Sequence, residues 1–136
     1  MIVQFSPAVR NARADAVEAE IGASPTIKIF GDDGSMPANT AGADSGTILA
    51  TVPLPADWMD DSVAGVIAKL GTWQDAAADA SGTALYWRLY RSGGACDAQG
   101  DISNQAGSGS MKLTDTALTS GLPFTVVSFG WTEGNA

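Results

Sequence analysis

"TALYWRLYR", Thr83 to Arg91, decides the fold. It is the clearest β-pattern in the chain. Leu85, Trp87 and Leu89 point one way, while Tyr86, Arg88 and Tyr90 point the other. Neither face is plainly polar. A half-buried strand in a small antiparallel sheet normally keeps one wet face. The second face must therefore be covered, either by the same chain or by another molecule.

Working outward, other segments alternate in the same manner. "PTIKIF" sets Ile27 and Ile29 on one face, and "TILATVPL" sets Ile48, Ala50, Val52 and Leu54 in register. "CDAQGDIS", "SMKLT" and "FTVVSFGW" (Phe124 to Trp131) complete the strand signals. "VAGVIAKLGTW" is ambiguous. Gly65 and Gly71 argue against a helix there, so it reads as an extended segment ending in a strand at 70–75. Gly31 to Gly46, "GDDGSMPANTAGADSG", is small and polar throughout, which predicts a long surface loop.

One helix precedes the strands. Ser6-Pro7 is a capping hydroxyl followed by proline at the first helical position, and Gly22 is a stop. Between them Val9, Ala12, Ala16, Val17 and Ile21 recur at spacings of three and four, predicting a helix over about 7–21. Val9, Val17 and Ile21 are expected to face the sheet, with Arg10, Arg13, Asp15 and Glu18 mostly outward. One helix followed by seven or eight short strands predicts a mainly β, single-domain β-sandwich or jelly-roll-like fold over residues 1–136, with a short N-terminal arm at 1–5.

The totals agree. A chain of 136 residues, 45% of them hydrophobic, makes one ordinary globular domain, and its 16 Gly and 6 Pro suit a turn-rich β fold. Seven basic against fifteen acidic residues give a formal charge of −8. Phosphate backbones and anionic membranes would both repel such a surface, so neither nucleic acid nor membrane is expected as a partner. The N-terminus lacks a basic region followed by a long apolar run, so no secretory signal is expected.

Catalytic chemistry finds little to use. The chain has no histidine and one cysteine, Cys96, which excludes Ser-His-Asp and Cys-His arrangements and a transition-metal cluster. Cys96 reads as a small buried hydrophobe. "GDDG" and "GSGS" lack the strand, helix and Lys-Ser/Thr context of a phosphate loop. Asp32-Asp33 and Asp60-Asp61 fall in turns, where Asp caps backbone amides. Asp32, Asp33 and Ser35, or Asp57, Asp60 and Asp61, offer oxygens to calcium without the spacing of an EF-hand loop. No enzyme activity, cofactor or metal is expected. Trp58, Trp73, Trp87, Trp131, Tyr86 and Tyr90 could form a sugar-stacking platform, but such residues more often fill a core or an interface.

Taken in order, the segments resemble the small structural proteins of tailed bacteriophages and prophages. The succession runs from "VRNARADAVEAEIGASP" through "IKIF", "DSGTILA", "LPADWM" and "GTW" to "SGTALYWRLYRS", "CDAQG" and "FTVVSFGWTEGNA", nearly the whole chain. The ordered set carries the resemblance, since no single piece is a catalytic motif. The resemblance implies a head decoration, or cement, protein on the capsid exterior. It would be made in the host cytoplasm, with the major capsid protein and itself, as a homotrimer, for partners. Family members usually have His near the segment that here reads "CDAQG", so any role of that His does not carry over. Two alternatives stay open: a tail component (tube, completion or baseplate), and a carbohydrate-binding module.

Candidate interface residues follow from these readings. Ile2, Val3 and Phe5 belong to the apolar arm "MIVQF", which either adds a strand to a neighbour or forms the first strand of its own sheet. Tyr86, Arg88 and Tyr90 are residue types enriched at interfaces, and on the open-face reading they meet a sister subunit or the capsid protein. The alternative is that the helix over 7–21 covers this face within the chain.

Overall fold

The computed structural model describes residues 2–134. Helix α1 is Pro7–Ile21, with the Ser6 Oγ accepting from the Val9 amide at 3.3 Å and Gly22 as C-cap. The strands are β1 (Thr26–Gly31), β2 (Ile48–Pro53), β3 (Val66–Ala68), β4 (Gln74–Asp75), β5 (Gly82–Tyr90), β6 (Cys96–Asn104), β7 (Met111–Leu113), β8 (Ala117–Leu118) and β9 (Phe124–Thr132). The fold is mainly β with one N-terminal helix, as the sequence predicts. The expected strand at 70–75 is instead split, with pairing at 66–68 and at 74–75.

The strands form one curled sheet in the order β2-β1-β5-β6-β7-β9-β3, with β4 paired to β9 and β8 to β5. All pairs are antiparallel except β6–β7. The curl brings the segment after β4 back beside β2. There the Asp79 amide donates to the Leu49 carbonyl at 2.8 Å, and the Thr51 amide to Asp75 Oδ2 at 3.0 Å. The sandwich-like layering thus comes from one sheet closing over itself.

The concave side holds the core. Ile27, Ile29, Trp87 and Leu89 lie there with Leu49, Val52, Trp58, Trp73 and Phe129. Phe129 is its centre, with ring centroids 4.9 Å from both Trp73 and Trp87. Gly130 follows it for a steric reason. A Cβ at that position would stand 2.3 Å from the Ile67 carbonyl oxygen across the β3–β9 ladder.

Helix α1 packs in a way that its apolar spacing does not announce. Ala14 and Ile21 are buried and Val17 is half-buried, but Val9 is 43% exposed, which corrects its assignment to the sheet side. Nor do all the polar residues face outward. Asn11, Asp15 and Glu18 share a face and accept hydrogen bonds from the backbone of 58–65. Glu18 Oε1 accepts from the Trp58 and Met59 amides at 2.9 Å each, Asp15 Oδ1 from Ser62 at 3.1 Å, and Asn11 Oδ1 from Gly65 at 2.7 Å. That segment runs along the outer side of β3, bridging to it through Val63–Val66 and Met59–Lys69. The helix therefore satisfies amides that an open edge strand would leave exposed. Burial raises the Glu18 carboxyl above its ordinary range against the two backbone donors, and nearby Asp57 pushes the same way.

Candidate functional site

β5 sits between β1 and β6, with Arg88 opposite Lys28 on one side and Gln99 on the other. Pleating sends Tyr86, Arg88 and Tyr90 to the convex face, as expected. That face is not open. Tyr86 and Arg88 are each 1% exposed, and Tyr90 is half-buried. The cover is not helix α1 but the loop between β1 and β2, residues 32–47, which the sequence places on the surface.

Arg88 holds this loop. Its Nη2 donates to the Thr40 carbonyl at 2.7 Å, and its Nη1 to the Gly42 carbonyl at 2.9 Å and Asp44 Oδ1 at 2.6 Å. Its Nε donates to Cys96 Sγ at 3.2 Å. All three guanidinium nitrogens thus have partners, the condition under which a charge can be buried. The Tyr90 hydroxyl donates to the same Asp44 carboxylate, and the Tyr86 hydroxyl donates to the Ser45 carbonyl. The Tyr86 ring stacks on Phe30 at 4.8 Å, and Lys28 Nζ lies 4.7 Å from the centre of the Tyr90 ring. From β6, the Gln99 amide reaches the Pro37 carbonyl at 2.7 Å. Within the loop, Asp33 accepts from the Thr47 amide and hydroxyl, at 2.9 and 2.5 Å, which holds its carboxyl below the ordinary range.

Two expectations are corrected here. Tyr86 and Arg88 do not present an outer surface to a partner, because their own chain covers them. Cys96 is half-buried and polar in its use, accepting from Arg88 and donating to the Ala98 carbonyl at 3.2 Å. Ile2, Val3 and Phe5 do stand at the surface, 76%, 47% and 41% exposed. Among the described residues, 2–5 form no strand of the chain's own sheet. The Phe5 ring lies 5.3 Å from the Arg13 guanidinium. Met1 lies outside the described residues.

Both tyrosines titrate above the ordinary phenol value. Burial is the main cause for each; for Tyr90 the Asp44 carboxylate that its hydroxyl meets adds to it. A group whose pKa rises on folding favours the folded state below its unfolded value and loses that contribution as pH climbs through the folded one. These are the chain's only two tyrosines, so phenolate absorbance reads them without background. In the folded protein little phenolate should form near pH 10, whereas in denaturant both should be half-ionised at about that pH. Ordinary titration of either one in the folded protein would mean the loop does not seal this face.

A second feature is an apolar cleft of about 330 Å³ between α1 and the sheet, walled by Val17, Ile21, Trp58, Trp87, Phe129 and Trp131. By residue type the tryptophans are expected to fill a core or an interface. Trp58, Trp73 and Trp87 are in the core, and Trp131 is half-buried at the cleft.

Among the described residues, no three His, Cys, Asp or Glu side chains gather as metal ligands would, and no helix is long and apolar enough to cross a membrane. Comparisons with protein-family models, curated proteins and solved structures find no match to the chain.

Proposed function

We propose that the chain is a structural protein of a tailed-bacteriophage particle. It decorates the outside of the head shell and stabilises it, with the major capsid protein and further copies of itself as partners. The observation that carries this reading is the exposed apolar segment Ile2–Phe5, continued by Val9, leading out of a domain whose sheet edges are covered by its own helix and loops. Such a segment serves association, because exposed apolar residues gain by being buried on a neighbour. The ordered resemblance to phage structural proteins supports the same reading, as does a surface charge that keeps a highly concentrated protein soluble.

The test adds purified chain to undecorated shells. Saturable binding in many copies per shell, with increased resistance of the shell to heat, is expected. Recovery of the protein only with tails, in a handful of copies per particle, would overturn the reading.

A further inference from the structure

The sheet lacks one strand's width along part of its length. β7 pairs with β6 from Ile102 onward and with β9 up to Phe129. Before Met111 the chain turns away, while β6 continues back to Cys96 and β9 runs on to Thr132. Two strands flanking a third stand about 10 Å apart. Over 96–101 of β6 and 130–132 of β9, no described strand lies between them. The apolar cleft occupies this gap. Its floor is Trp87 and Phe129, and Val17 and Ile21 of α1 flank it.

The chemistry of the cleft selects its occupant. The Trp58 indole N–H is used by the Gly22 carbonyl at 3.0 Å and that of Trp87 by Ser110 Oγ at 2.9 Å. These rings offer apolar surface without a donor to turn toward a sugar hydroxyl. The cleft is walled by residues of two strands, Ala98 and Gln99 of β6 and Phe129 to Trp131 of β9, beside which an extended peptide can lie. The gap therefore fits a short, extended, apolar stretch of chain. Ile2 and Val3 form such a stretch: uncharged, exposed and, among the described residues, in no strand. It carries no charge into a molecule of net charge −8.

We infer that the cleft of one copy receives Ile2 and Val3 of a second copy. The segment does not fill the cleft of its own copy: Ile2 and Val3 are 76% and 47% exposed and form no part of the cleft wall. Exchange of these segments around a closed ring or a two-fold pair buries them on every copy. The inference goes beyond the particle role and needs no shell protein, so either can fail without the other.

The experiment uses the full chain alone. Sedimentation equilibrium should show self-association, weakened at least tenfold by Ile2→Asp with Val3→Asp at unchanged circular dichroism. A labelled peptide carrying residues 2–7 should bind that double variant, and Ala98→Phe, which fills the cleft from β6, should abolish peptide binding. A double variant that associates as tightly as the parent would overturn the inference. So would a parent that stays monomeric and a cleft that ignores the peptide, or peptide binding that survives Ala98→Phe.

Discussion

Arg88→Ala is expected to lower folding stability by about 3 kcal/mol, because a buried guanidinium with every nitrogen partnered is removed while its carboxylate partner, Asp44, is 38% exposed. Three acceptors lose a donor at once: the Thr40 and Gly42 carbonyls, and the Asp44 carboxylate, which keeps only Tyr90 among the described residues. Arg88→Lys keeps a charge but not the planar fork, so it should recover only part of the loss. Arg88→Met keeps the apolar stem and should fall close to Ala. On an open face, Tyr86→Ala combined with Arg88→Ala would leave the fold intact; with both side chains buried, the pair should unfold it. Urea denaturation of the four variants measures this. A loss below about 1 kcal/mol for Arg88→Ala, the range of an exposed pair, would show that the loop is held by other contacts.

Phe129→Ala should be at least as damaging, at about 3–5 kcal/mol. The ring touches Trp73 and Trp87 on the concave face and stands 6.1 Å from Trp131. Its removal leaves a hole among three indoles that cannot collapse without moving strands. The near-ultraviolet circular dichroism of the tryptophans should fall with it. Val127→Ala on the same strand, where Val127 is 39% exposed, should stay within about 0.5 kcal/mol. Equal effects from the two would mean that β9 does not present Phe129 to the core.

Much of the architecture was legible because it is written in spacing. Ser6, Pro7 and Gly22 bound the helix, and the alternation of Thr83–Arg91 locates β5 to within a residue of Gly82–Tyr90. What covers the convex face was not legible. Residues 32–47 hold almost no apolar side chains, so hydrophobic patterning passes over them. What they bring to β5 is backbone carbonyls and one carboxylate, and any sequence has carbonyls. The signal that was available is Arg88 itself, a lone cation between two tyrosines on a buried strand, which needs an acidic partner from elsewhere. Helix α1 repeats the point. Asn11, Asp15 and Glu18 look like a wet face, yet they bind main-chain amides. The apolar cleft was half visible: the aromatic residues suggested an interior or a contact surface. That β7 stops short and leaves a gap depends on strand length, which local patterning sets poorly.

The Arg88 clamp also bears on the order of events as the chain folds. It joins residues 41–48 positions apart, and its three holding side chains all belong to β5. β5 must therefore dock on β1, and the long β1–β2 connection must close, before any of these contacts can form. Loop closure is unfavourable until distant contacts repay it. The clamp is therefore expected to close late in folding. Stability held in contacts made that late acts on escape from the native state, not on the rate of reaching it. Arg88 is in this sense a latch: Arg88→Ala should refold at about the parent's rate and unfold faster, which stopped-flow kinetics would read.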